Sequence, residues 1–479
     1  MFQTKKNIYF LGIGGIGMSA LARYFKAKGC EVAGYDRVSS ELTRQLEQEG
    51  MNVHYEDNTE LIPENFRNPE NTLVVYTPAV PATMSELVDF IEKKFSVLKR
   101  SQVLGEITRR QRAICVAGTH GKTTTSTMTA HLLHHSHIDC NAFIGGISKN
   151  FEKNLHLSDK SDLVVIEADE YDRSFLTLSP YMAAITAVDP DHLDIYGSEE
   201  VYRAGFEEFT SLIQPGGALL LKKGVPVNPK IQDGVRLFTY SINDKEADFY
   251  AQNICVANGE IIFDFVTPDE LIEHIRLGVP VMINIENGIA AMALALLNGV
   301  APDEIRNAMA TFGGVKRRFD FHIKRDDLVF IDDYAHHPQE LKACVESLRT
   351  LYKEKKICGI FQPHLYTRTR DFADEFAQSL SLLDELVLLD IYPAREKPIP
   401  GVTSQMLLDK VAIDKKCVCS KSGLEEYIRE NDFEVLATIG AGDIELLVPK
   451  VKEILLNRVC RDGSRPVSTE ITQSNQRKK

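Results

Sequence analysis

Short apolar runs alternate along this chain with segments whose apolar positions recur every three or four residues, the pattern of strands and helices taken in turn. Residues 7–11, 31–35 and 72–76 read as buried strands, and a helix carrying Ala20, Leu21, Tyr24 and Phe25 joins the first two. Residues 99–110 read as a connection with a short helix. A second set of strands follows at 113–117, 162–166 and 181–188, with a helix at 126–133. Between 225 and 260 helical periodicity is weak, and Asn258-Gly259 separates two strand-like stretches, a hairpin signal. The alanine-rich residues 289–297 return to helix. After the break at Gly313-Gly314 come strands at 328–331, 357–361, 386–389 and 435–439, a helix opened by Pro338, another around 372–382, and a last one opened by Gly440-Ala441-Gly442-Asp443.

This order predicts an α/β protein of three domains. Residues 1–106 form a Rossmann-like domain, 107–312 a central P-loop mononucleotide-binding α/β domain, and 313–460 a Rossmann-like α/β domain; residues 461–479 are polar and expected to fray. The length, 479 residues, agrees with about 150 per domain.

Charge narrows the picture. A formal net charge of -13 argues against general affinity for nucleic acid or an anionic membrane, because both need basic surface. The polar N-terminus runs straight into a strand, with no signal-peptide pattern, and no apolar run approaches the ~18 residues that would span a membrane. Nine cysteines without a CxxC pair or a metal spacing read as reduced thiols, so a cytoplasmic location is expected.

Two glycine loops carry the chemistry. Gly118-Thr119-His120-Gly121-Lys122-Thr123-Thr124-Thr125 lies between a strand and a helix. Its glycines turn backbone N–H groups toward one point, the helix end adds partial positive charge, Lys122 reaches terminal phosphates, and Thr123 or Thr124 offers a hydroxyl to magnesium. Only two residues separate Gly118 from the Gly-Lys-Thr, fewer than in the general phosphate loop. The other loop is Gly12-Ile13-Gly14-Gly15-Ile16-Gly17, followed by a helix, a strand and Asp36. This is the order of a pyrophosphate site, although it fits NAD, FAD and a nucleotide sugar alike, and tight helix–strand packing without a ligand is the plain alternative. The turn at Thr77-Pro78 ends a strand on the side where such folds bind ligands.

Acids and histidines at other strand ends complete the set. Glu167-Ala168-Asp169-Glu170-Tyr171-Asp172 is either a solvated loop or a magnesium site, and its place after a buried strand downstream of the phosphate loop favours magnesium on Glu167. Asp191-His192-Leu193-Asp194 places an imidazole beside acids, suited to a second divalent ion. The amides of Asn284 and Asn287 suit a nucleobase edge. Arg317, Arg318 and Asp332-Asp333-Tyr334-Ala335-His336-His337-Pro338 mark the last domain. His131, His134, His135 and His137 read as a solvated helix end, since no carboxylate or cysteine is interleaved.

Taken together and in this order, Gly12 to Ser19, the short phosphate loop, the Glu167 and His192 motifs and the Asp333 motif resemble the ATP-dependent muramyl ligases of peptidoglycan synthesis, over roughly residues 7–450. The resemblance implies UDP-N-acetylmuramate on the first domain at Gly12, Gly14, Gly15, Gly17, Met18, Ser19, Asp36 and Thr77. It implies ATP at Gly118, Thr119, His120, Gly121, Lys122, Thr123, Thr124, Asn284, Asn287, Arg318 and Asp333, with Mg2+ on Thr123, Glu167 and His192. L-alanine enters on the side of His336 and His337. Lys122, Glu167, His192, Arg318 and Asp333 are the implied catalytic set, domain closure is implied by ATP contacts on two domains, and the enzyme is a monomer or homodimer.

The implied reaction joins L-alanine to the lactyl carboxylate through an acyl phosphate; a recycling ligase for a murein tripeptide is the nearest rival. A nicotinamide dehydrogenase leaves the phosphate loop unexplained, and a partner-moving NTPase would turn over ATP without any sugar substrate. The chain departs from the family pattern at Ile283 (commonly histidine), Tyr171 (commonly serine) and Leu365 (commonly arginine). No lysine stands between His192 and Lys222, so the carbamylated lysine of related ligases is not expected.

Overall fold

In the computed structural model, which describes residues 5–190, 193–257, 259–394 and 396–459, the chain folds around three sheets. It divides into two compact units, Met1–Lys316 and Arg317–Lys479, the first holding two of the sheets. The three sheets with their helices are the Rossmann-like, phosphate-loop and second Rossmann-like arrangements expected.

The first sheet is parallel throughout, in the order Asn52–His54, Glu31–Tyr35, Asn7–Leu11, Thr72–Tyr76, Ser96–Lys99. The order reverses between Asn7–Leu11 and Thr72–Tyr76, which opens a crevice at the strand C-terminal ends. Ser96–Lys99 is a strand that the pattern did not pick out, ending where the connection was read to begin. It is an edge strand, half-buried at all four residues, so it shows no apolar run. Arg100–Thr108 is the helix after it.

Ten strands form the second sheet, with Arg112–Ala117 held parallel between Leu163–Ala168 and Pro180–Ile185. Helix Lys122–His134 leaves its C-terminal end and is buried from Thr125 to Leu133. Threonines and serines survive there because their hydroxyls bond to carbonyls one turn back: Thr127 to Thr123, and Thr129 to Thr125. The weakly helical stretch becomes strands Arg236–Ser241, Phe249–Ala257 and Glu260–Val266. Ala257 pairs with Glu260, closing the expected hairpin over two residues, of which Asn258 lies outside the described residues.

In the second unit Asp320–Lys324 is an antiparallel edge, and Val329–Asp333, Val435–Ile439, Ile357–Phe361, Glu385–Leu388 and Lys415–Val418 continue in parallel. Pro338 opens helix Pro338–Leu351 as expected. The helix expected around 372–382 is two pieces, Tyr366–Asp371 and Ala373–Leu380, and a 3-10 turn at Asp443–Leu447 precedes the last helix, Val448–Val459. The tail, 461–479, lies outside the described residues.

The histidine-rich helix end is not solvated as expected. His131 is fully buried, with Nε2 against the Ala308 carbonyl at 2.9 Å, and burial pushes its pKa down to about 4. His137 pairs with Glu304, while His134 meets Asp139, a carboxylate the linear spacing concealed.

Candidate active site

The glycine turn Gly12 to Gly17 works at the crevice of the first sheet. Gly12 has φ +85°, and a Cβ there would lie 2.7 Å from the Thr77 methyl, so this turn and the Thr77 turn touch. Gly15 caps helix Ile16–Ala27 without a side-chain acceptor, leaving that end suited to an anion. Asp36 uses Oδ2 to accept the Gly14 N–H at 2.7 Å, so it shapes the turn as well as facing it. Ser19 is buried, donating to the Ile16 carbonyl and accepting from Asn154, while Met18 is buried beside the crevice.

A cavity of about 250 Å3 runs from this turn to the second sheet. Gly15 to Met18 and Thr77 line one side, Gly145, Glu167 and Asp169 the other, and Arg100 lies between them, 3.0 Å from Asp169. A Cβ on Gly17 would lie 2.6 Å from Arg100 Nη1. Gly17→Ala is therefore expected to displace Arg100 and narrow the cavity. Binding of the nucleotide sugar that the resemblance implies here should weaken by about 10-fold or more while the protein stays folded, as isothermal titration will show.

The phosphate loop closes around its own lysine. Gly121 caps helix Lys122–His134 at φ +82°, and Thr119 donates its N–H to the Ala187 carbonyl at 2.9 Å. Lys122 Nζ donates to the Gly118 carbonyl at 2.6 Å and meets Glu170 at 2.7 Å. Burial works against its charge, but Glu170, Glu167 and Asp169 outweigh that and hold the ammonium above its ordinary pKa. Thr186 supports the loop by donating to the His120 carbonyl.

Glu167 sits inside strand Leu163–Ala168, and its Oε2 is buried with no hydrogen-bond partner among the described residues. A carboxylate oxygen in that state fits a hard divalent cation. Asn284 and Asn287 fall within helix Met282–Leu297, both buried. Asn287 comes to the loop, where a Cβ on Gly121 would lie 2.7 Å from its Oδ1; Asn284 instead donates to the Val279 carbonyl and accepts from Asn287. His192 lies outside the described residues.

In the second unit Asp333 accepts the N–H groups of Phe319 and Ala335 at 2.7 and 2.8 Å. Burial pushes its carboxyl up to about 6, against the pull of Arg318. Arg318 stands over the Tyr334 ring. His336 pairs with Glu340 at 3.2 Å, and His337 caps helix Pro338–Leu351. Although burial opposes it, His336 and Arg318 hold the Glu340 carboxyl well below the usual range.

Three family descriptions match successive parts of the chain. The family description "Mur ligase family, catalytic domain" matches residues 7–112, "Mur ligase middle domain" 116–295, and "Mur ligase, glutamate ligase domain" 317–451. The chain is 60% identical over 452 residues to the UDP-N-acetylmuramate--L-alanine ligase of Parabacteroides distasonis, covering 94% of this chain and 98% of that protein. With the ligase of that name from Phocaeicola vulgatus the identity is 59%, over 95% of this chain and 99% of that protein. The chain belongs to the Mur ligase family. Among solved structures, the UDP-N-acetylmuramate-alanine ligase of Thermotoga maritima matches at TM-score 0.78 and 27% identity, over 95% of this chain and 99% of that one.

In this Mur ligase the residues that departed from the family pattern lie at the surface or at a turn. Tyr171 and Ile283 are exposed, and Leu365, at φ +70°, caps helix Tyr366–Asp371. Lys222, the first lysine after the His192 motif, pairs with Glu286 at 2.8 Å. Arg100, Gly145 and Glu170 were not singled out from sequence. Arg100 follows the unrecognised edge strand, Gly145 follows the short strand Asn141–Phe143, and Glu170 was one acid of several until burial distinguished it.

Proposed function

We propose that this Mur ligase joins L-alanine to the lactyl carboxylate of UDP-N-acetylmuramate, with cleavage of ATP to ADP and phosphate, as a cytoplasmic monomer or homodimer making peptidoglycan precursor. The observation that carries the reading is the cavity with the Gly15 to Met18 turn on one wall and Glu167 on the other. The diphosphate of the nucleotide sugar belongs at the turn, and its lactyl carboxylate then points toward the phosphate loop. We assign residues 1–106, 107–312 and 313–460 to nucleotide sugar, ATP and amino acid respectively.

The carboxylate oxygen attacks the γ-phosphorus, the bond to the β-phosphate oxygen breaks, and ADP leaves. The alanine amine then attacks the acyl carbon, loses a proton, and expels phosphate from the tetrahedral intermediate. Both steps gather negative charge, which Lys122 and Arg318 offset. Mg2+, held by Thr123, Glu167 and His192, would screen the triphosphate from the approaching carboxylate. Asn284, Asn287 and Asp333 are the further ATP contacts, and His336 and His337 lie on the amino-acid side.

ADP release is expected only when UDP-N-acetylmuramate and free L-alanine are both present. Activity confined to a tripeptide acceptor would overturn the reading in favour of a recycling ligase. For Asp333 to act as a carboxylate it must be ionised. The ATP-dependent kcat/KM should therefore fall as pH drops below about 6, a limb that Asp333→Asn removes in a pH–rate profile.

A further inference from the structure

We propose that His134, Asp139 and His156 form a binding site for a divalent transition-metal ion of the zinc class, separate from the phosphate loop. His134 is the last residue of helix Lys122–His134, Asp139 lies in the turn after it, and His156 ends strand Leu155–His156. His134 Nδ1 and His156 Nε2 each stand 3.1 Å from the same oxygen, Asp139 Oδ1, and the three atoms all lie within 4.8 Å of one another.

Asp139 Oδ1 also accepts the Cys140 N–H at 2.9 Å. Three nitrogens thus crowd onto an oxygen with two lone pairs, one more than an ideal arrangement holds. A metal ion between the two imidazoles and the carboxylate removes that excess, because each nitrogen then presents a lone pair instead of a proton. Zinc bonds of about 2.1 Å at tetrahedral angles need donor separations of about 3.4 Å; both nitrogens lie 3.1 Å from Asp139 Oδ1 and all three atoms within 4.8 Å of one another, so small side-chain adjustments admit the ion. Two imidazoles and one carboxylate suit zinc rather than magnesium or calcium, and leave one position for water.

The surroundings are those of a metal centre. Asp139 Oδ2 accepts the Ser158 hydroxyl at 2.7 Å, which fixes the carboxylate with Oδ1 turned toward the histidines. The Phe151 ring stacks on His156 at 4.7 Å and packs edge-on to His134 at 5.4 Å, restraining both imidazoles. The Asp139 side chain is 13% exposed and that of His156 17% exposed, so the donors are shielded, while His134, at 37%, borders solvent and gives the ion a way in.

An ion here would pin the far end of the helix that begins with Lys122 to the segment carrying Asn154. That residue in turn accepts from Arg23 Nη1 and donates to Ser19 Oγ on the first sheet's helix. The site stands independently of the ligase reading.

The test is a cobalt titration of the full-length, chelator-treated protein, with excess Mg2+ present to occupy oxygen-rich sites. One equivalent of Co2+ is expected to give the visible d–d spectrum of a four- or five-coordinate site, abolished by one equivalent of Zn2+. Zn2+ should also raise the thermal midpoint. Asp139→Asn, which tolerates the positive φ of 59° at this position, and His156→Gln should each weaken binding by more than about 100-fold, exceeding the loss seen for outer-shell changes. Melting of the metal-free variants establishes that they are folded; His134→Gln replaces either one that is not. Absence of a stoichiometric spectrum in the unmodified chain, or unchanged affinity in the folded variants, would overturn the proposal.

Discussion

Lys122→Ala is expected to abolish ADP release, by about 10^3-fold or more, while UDP-N-acetylmuramate still binds with nearly unchanged affinity. The ammonium lies against the loop that Gly118 and Gly121 shape, donating to the Gly118 carbonyl at 2.6 Å, and Glu170, Glu167 and Asp169 hold it protonated. Among the described residues, its Nζ contacts run to the Gly118 and Thr119 carbonyls and to Glu170, and no second cation shares them. Removing it also strands Glu170, which is 2% exposed and whose carboxyl burial already pushes up to about 7, so the single variant loses stability. The double variant Lys122→Ala/Glu170→Gln separates the two effects. Its thermal midpoint should recover much of what the single variant loses, and its turnover should not recover. Titration calorimetry with the nucleotide sugar checks the other half of the expectation. If Lys122→Ala loses sugar binding and turnover together although the double variant melts normally, sugar and ATP do not occupy separate sheets.

That experiment rests on features readable from the sequence because they are local. A strand, a glycine turn and a helix start are contiguous, so Gly12 to Gly17 and Gly118 to Lys122 announced their geometry before any fold was known. What stayed hidden depends on distant packing. Arg100 reaches Asp169 across 69 positions in the chain, and the edge strand that delivers it is too exposed to show an apolar run. The acids of 167–172 look alike in sequence, yet Glu170 is buried against Lys122 while Asp172 pairs outward with Lys99. The histidines after residue 130 misled for the same reason. Their spacing along a helix carries no information about Asp139 in the following turn or His156 on another strand. Asn284 and Asn287 were legible as an amide pair, but that only Asn287 faces the phosphate loop follows from how helix Met282–Leu297 packs on helix Lys122–His134.

Gly145→Ala tests the magnesium assignment without substituting a candidate ligand. Gly145 faces Glu167, and a Cβ built on it would lie 2.1 Å from Oε2 and 2.5 Å from the carboxyl carbon. The obstructing atoms are the far end of a flexible side chain, so the carboxylate turns aside and the backbone need not move. Gly118→Ala is the contrasting case. At φ +141° its Cβ would lie 2.8 Å from the Ala187 backbone nitrogen, and that variant should lose stability outright. For Gly145→Ala the fold is expected to survive, with a nearly unchanged thermal midpoint. A shift of about 1 Å in a group that positions the reacting phosphate costs about 100-fold in rate. Turnover should fall by that factor, and the Mg2+ concentration for half-maximal activity should rise. A free-energy loss confined to the metal-dependent step leaves the affinity for the nucleotide sugar as it was, since Gly15 to Met18 lie on the opposite wall of the cavity. Should Gly145→Ala keep both its rate and its Mg2+ dependence, the partnerless oxygen of Glu167 does not hold the metal.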